Sequence, residues 1–100
     1  MIKLTIIIPV YNEIKTIEKL IKKILKINIK KQLIIVDDGS SDGTELVLKK
    51  YKNKIDRLII HKKNLGKGAA IKSGQKYVRG KYIGIQERTN RYSLLTNSLY

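Results

Sequence analysis

Four short apolar runs constrain this chain more than any other feature: LTIIIPV at 4–10, LIIVDD at 33–38, RLIIH at 57–61 and KYIGIQ at 81–86. Each is rich in β-branched residues and continuous, not alternating. A strand with one wet face alternates polar and apolar residues, whereas a continuous run suits a strand covered on both faces, as in a parallel sheet. Parallel strands need crossover connections, and the segments between the runs have helical periodicity. Ile14, Ile17, Leu20, Ile21, Ile24 and Leu25 recur at helical spacing with lysines on the other face, and Asn12 is placed to cap the start. A second helix fits Thr44 to about Lys52, with Leu46, Val47 and Tyr51 inward. Its expected N-cap is Asp42, with Glu45 three residues on in capping-box fashion. A third fits about Gly68 to Val78, with Ala70, Ile71, Gly74, Tyr77 and Val78 on one side and Gly80 as its stop.

The resulting order, β-α-β-α-β-α-β, predicts an α/β fold: a three-layer, mostly parallel, doubly wound sheet of about four strands and three helices. A length of 100 residues fits one small domain. The absence of cysteine excludes disulfides and cysteine-based metal sites. The apolar run at the N-terminus is too short for a signal-peptide core or a membrane span. From Glu87 onward, ERTNRYSLLTNSLY shows no clear period, and helix, strand or neither remain open there.

In a doubly wound sheet, ligands bind at the carboxyl ends of the strands. The polar segments YNE, DDGSSDG, HKKNLGKG and QERTNRY stand at those ends. Asp37 and Asp38 follow a buried run, and adjacent residues at a strand end point in different directions. One carboxyl can hold loop amides while the other meets a ligand. Gly39 and Gly43 allow the tight turn that follows. Gly66 and Gly68 flank Lys67 at a helix start, where backbone amides and a lysine attract phosphate. The spacing is neither a dinucleotide fingerprint nor a Walker loop. His61, the one histidine, reads as a polar strand end, and no Ser-His-Asp set emerges from the sequence.

Taken in order, TIIIPVYNE, LIIVDDGSSDGT, NLGKGAAIKSG and GKYIGIQ resemble the nucleotide-binding half of the family 2 glycosyltransferases. The nearest flavour is the polyprenyl-phosphate sugar synthases, such as dolichyl-phosphate mannose synthase. The resemblance covers residues 4–86 and implies a GT-A, Rossmann-like half-domain over 1–86, with 87–100 as an atypical tail, truncated or frame-shifted. It implies that Pro9, Tyr11 and Glu13 lie along the base and ribose of a nucleotide, that Asp38 accepts a hydrogen bond from the base with Asp37 bracing the loop, and that Lys67 and Gly68 sit near the base or phosphates. The donor it implies is a GDP- or UDP-hexose, transferred with inversion to a polyprenyl phosphate or another acceptor. The expected location is the cytoplasm or the cytoplasmic face of the membrane, with peripheral association.

The family also implies Mg2+ or Mn2+, held by an Asp-x-Asp triplet after the fourth strand. Here QERTNRY puts Glu87 at the first position and Thr89 at the second, leaving Glu87 as a weak metal candidate. That departure puts the activity of the chain alone in doubt. The alternative is a non-catalytic nucleotide-binding module, or a fragment completed by a partner chain at a sheet edge beyond the fourth strand. The formal net charge of +14, from 22 Lys and Arg against 8 acids, draws phosphate of any kind. An RNA-binding reading rests on that charge alone, because the six aromatic residues are all tyrosines and form no stacking motif. Nucleic acid is therefore not an expected partner.

Overall fold

The computed structural model describes residues 2–86 and, as backbone, the strand at 92–96. The elements are β1 (Leu4–Val10), α1 (Ile17–Leu25), β2 (Lys31–Asp37), α2 (Thr44–Lys50), β3 (Arg57–Ile60), α3 (Lys67–Gln75), β4 (Tyr82–Gln86) and β5 (Tyr92–Thr96), with a short 3-10 turn at Lys52–Lys54. The strands lie side by side in the order β3-β2-β1-β4-β5. The first four are parallel, as the continuous apolar runs require, and β5 pairs antiparallel with β4.

Two apolar layers cover the sheet. Ile8, Val10, Leu33 and Ile35 pack against Ile17, Ile21, Ile24 and Leu48 of α1 and α2. Ile7, Ile34, Val36, Ile83 and Ile85 pack with Ala70 of α3. Successive residues of β1 and β2 thus feed opposite layers, which is why neither strand alternates with polar residues. Gly74 lets α3 lie close to the sheet: a β-carbon there would stand 3.0 Å from the Ile7 side chain.

The structure differs from the sequence reading at several points. Helix α1 begins at Ile17, not after Asn12, and Ile14 is left exposed before it. Asn12 takes a left-handed backbone conformation and bonds a neighbouring loop instead. In α2, Thr44 and Leu48 share the buried face one turn apart, so Leu46 points outward and is 68% exposed. The cap position of α2 is Gly43, and Glu45 pairs with Lys49 instead of closing a capping box. Tyr77 lies beyond the end of α3 with its ring exposed. The sequence left residues 92–96 open; they add a fifth strand that covers the edge of β4. Strand β5 thus occupies the edge beyond β4, where the alternative reading would have had a partner chain pair.

The amino-terminal end of the sheet is closed by a buried polar network that periodicity does not reveal. Gln32 accepts from Thr5 Oγ1 at 2.7 Å and from Arg79 N–H at 2.8 Å, and its amide donates to the Tyr77 carbonyl at 2.8 Å. Thr5 Oγ1 in turn accepts the N–H of Gly80 at 2.9 Å. Gly80 is needed for close approach: a β-carbon would stand 2.7 Å from Thr5 N. These bonds satisfy buried donors and acceptors and fix where α3 returns to the sheet.

Candidate nucleotide site at the carboxyl ends of the strands

The direction in which strands are added to the sheet reverses at β1, since β2 and β3 lie on one side of it and the parallel β4 on the other. Such a switch point opens a crevice beyond the strand ends. Pairing of β1 with β4 stops at Ile7, while pairing with β2 runs on to Val10. Pro9, which has no N–H to give, stands where the β4 ladder has ended. Tyr11 follows with its ring exposed.

The loop after β1 is fastened to the loop after β2. Asn12 N–H donates to Ser40 Oγ at 2.8 Å, and Asn12 Oδ1 accepts the Ser41 N–H at 2.8 Å. Glu13 N–H donates to Thr44 Oγ1 at 3.0 Å, and Ile14 N–H to Asp42 Oδ2 at 3.1 Å. The other oxygen of Asp42 accepts from Thr44 N–H at 3.0 Å and from its hydroxyl. Asp42 therefore serves the start of α2, as its spacing suggested, while also holding the first loop. Glu13 Oε2 accepts from Thr16 Oγ1 at 2.8 Å, ordering the entry to α1.

The two central acids divide their work. The alternation of β2 places Asp37 on the face of Leu33 and Ile35. Its Oδ1 accepts the Ser40 N–H at 3.1 Å, and its Oδ2 is buried without a hydrogen-bond partner among the described residues. Asp38 turns toward the β3–α3 loop. Its Oδ1 accepts from Leu65 N–H and from His61 Nδ1, both at 2.8 Å. Its Oδ2 accepts from Gly66 N–H at 2.8 Å and Asn64 Nδ2 at 3.1 Å. Burial pushes the Asp38 carboxyl up, but the hydrogen bonds from His61, Leu65 and Gly66 outweigh it and hold it below its ordinary range. The resemblance gave loop bracing to Asp37. In this geometry Asp38 also braces a loop, and Asp37 keeps an oxygen with no partner among the described residues.

Asp38 also brings Lys67 and Gly68 to the site, because it grips Gly66, the residue before α3. Gly39 makes that approach feasible. It has φ near +75°, and a β-carbon would stand 2.4 Å from the Lys63 carbonyl carbon. Gly39→Ala is therefore expected to cost about 2 kcal/mol or more and to loosen residues 63–66. Denaturant unfolding, with amide exchange at Leu65 and Gly66, reads both effects.

A Ser-His-Asp line does form, contrary to the sequence reading. His61 Nδ1 meets Asp38 and its Nε2 meets Ser73 Oγ at 2.8 Å. The amides of Leu65 and Gly66, which could otherwise stabilise an oxyanion, are spent on Asp38. The line ties α3 to the end of β2. Its signal in the sequence was only a histidine at a strand end. Among the described residues, no three histidine, aspartate or glutamate side chains converge on a cation site. Glu87, the metal candidate, lies outside the described residues, as does most of the 87–100 tail.

A family model described as glycosyl transferase family 2 matches residues 5–87. The chain belongs to that family. An uncharacterised glycosyltransferase of Mycoplasma genitalium is 32% identical over 98% of this chain and 36% of its own length. The dolichyl-phosphate beta-glucosyltransferase of Dictyostelium discoideum is 38% identical over 81% of the chain and 29% of its own length. Among solved structures, Staphylococcus aureus TarS 1–349 in complex with UDP-GlcNAc superposes with a TM-score of 0.77 at 26% identity, covering 86% of this chain and 26% of that one. This family 2 chain thus spans about a third or less of the length of these relatives. The α/β fold is that of the GT-A glycosyltransferases, and no helix among the described residues is long and apolar enough to cross a membrane.

Proposed function

We propose that the carboxyl end of this sheet binds the nucleotide of a GDP- or UDP-hexose, as the donor half of an inverting hexosyltransferase. The observation that carries the reading is Asp37 Oδ2, a buried acceptor with no donor among the described residues, at the carboxyl end of β2. Leaving such an atom unpaired costs about 1–3 kcal/mol, which an N–H of a bound base would recover. Support also comes from the UDP-GlcNAc complex of TarS. Pro9 and Tyr11 offer an apolar wall to the base and Glu13 orders the loop beside it. Asp38 acts on the ligand only by fixing the loop that carries Lys67 and Gly68 toward the phosphates.

In the whole reaction, an acceptor oxygen attacks the anomeric carbon in line, the nucleoside diphosphate leaves and the configuration inverts. A polyprenyl phosphate would already be anionic and would need no strong base. A divalent cation would offset charge on the leaving diphosphate. The described residues do not assemble a ligand set for one. A second reading, in which this chain supplies donor binding and another segment or chain the acceptor site, draws on its share of its relatives' length.

Amide spectra of labelled protein titrated with UDP and with GDP test the proposal. It expects one nucleotide to shift residues 9–13, 37–43 and 61–68 in a saturable way. Silence toward both, or shifts centred on the opposite end of the sheet, would overturn it.

A further inference from the structure

The opposite end of the sheet, where the strands begin, has a different character. Of the described acids, only Asp56 stands at the start of a strand. Around it, Arg57 stacks on the exposed Tyr77 ring at 3.9 Å and Arg79 reaches Asp56 at 3.8 Å. Beside them the α1–β2 turn projects. From Lys19 through Val36 the chain holds six lysines and no acid.

Lysines at the carboxyl end of a helix are favoured by its dipole, so their presence there is unremarkable by itself. Two apolar residues among them are not explained that way. Ile27 is 43% exposed and Ile29 58% exposed. The turn that presents them is well built: Ile27 N–H donates to the Ile24 carbonyl at 3.1 Å and Ile29 N–H to the Ile27 carbonyl at 2.9 Å. The Lys31 ammonium clasps it by donating to the Ile27 carbonyl at 2.9 Å. Lys26 and Lys30 flank the pair.

We propose that this turn docks the amino-terminal end of the sheet onto an acidic phospholipid surface. Aliphatic side chains at the tip gain by entering the boundary between headgroups and acyl chains, while the lysines around them gain from anionic lipid. Single-stranded nucleic acid would match the charge but prefers aromatic platforms, which Ile27 and Ile29 do not provide. The proposal does not depend on the nucleotide site, which lies at the other end of the strands and would stay open to solvent.

Flotation with phosphatidylcholine vesicles, with and without about one-third phosphatidylserine, tests it. Wild type is expected to float with the acidic vesicles and not with the neutral ones. Ile27→Ser/Ile29→Ser and Lys26→Glu/Lys30→Glu should each reduce partition at least about tenfold. The pair Lys15→Glu/Lys72→Glu, with the same change of net charge away from both the turn and the nucleotide site, should lose much less. Because the altered side chains are exposed, melting temperature and nucleotide-induced amide shifts should match wild type, and Lys26→Gln/Lys30→Gln provides a milder second pair. Equal losses at both ends would overturn the proposal in favour of undirected charge attraction. So would failure of wild type to float, or removal from vesicles by single-stranded RNA at equal phosphate concentration.

Discussion

Asp38→Ala should lower the unfolding free energy by about 3–5 kcal/mol, a large share of what a domain of this size possesses. The carboxyl of Asp38 holds His61, Asn64 and the backbone N–H groups of Leu65 and Gly66. Removing it leaves these donors facing a void, and the cost of unpaired buried donors exceeds the net worth of the bonds. The loop would part from β2 and take the start of α3 with it, so nucleotide binding should be lost as well. A pH signature accompanies the effect. The native pKa of Asp38 lies below its ordinary value. Its contribution to stability is therefore complete above the unfolded pKa, about 4, and is lost as pH falls through the lowered native value. Urea unfolding at several pH values should show that acid-side slope in wild type and a shallower one in Asp38→Ala, where Asp42 and Glu18 still contribute. A variant as stable as wild type would contradict the bracing role.

Asp37→Asn should act in the opposite sense on stability. The amide oxygen of asparagine can still accept the Ser40 N–H, as Asp37 Oδ1 does. What changes is the second oxygen, which is buried with no partner among the described residues. Asparagine exchanges an unpaired acceptor for an unpaired donor of the same shape and removes an ionisable group from a buried place, so the melting temperature should hold or rise. Nucleotide affinity should fall at least about tenfold, because a base N–H would meet a donor in place of an acceptor. Gain of stability with loss of binding is the mark of a group kept for a ligand.

The parallel sheet and its two apolar layers could be read from the continuous runs, because burial on both faces leaves a direct trace in composition. The strand-end location of the site followed from element order alone. What could not be read was which of two adjacent acids does what. Strand alternation sends them to opposite faces, but only the return of residues 61–66 shows that four donors converge on Asp38. The start of α1 falls at Ile17 and not after Asn12 because the Asn12 side chain accepts from Ser41, a longer-range partner than local capping rules consider. The Gln32 network escaped because a polar residue inside an apolar run carries no sign of its partners, which lie 27 and 47 residues away. Strand β5 had too little pattern to be distinguished from a loop.

The central claim is that the buried oxygen of Asp37 receives the base of a donor nucleotide. Calorimetric titration of wild type and Asp37→Asn with UDP and GDP, side by side on folded protein, tests it most directly. Wild type is expected to bind one nucleotide saturably and one-to-one, and Asp37→Asn to bind it at least about tenfold more weakly. Equal affinities in the two proteins, or no binding of either nucleotide by wild type, would contradict it.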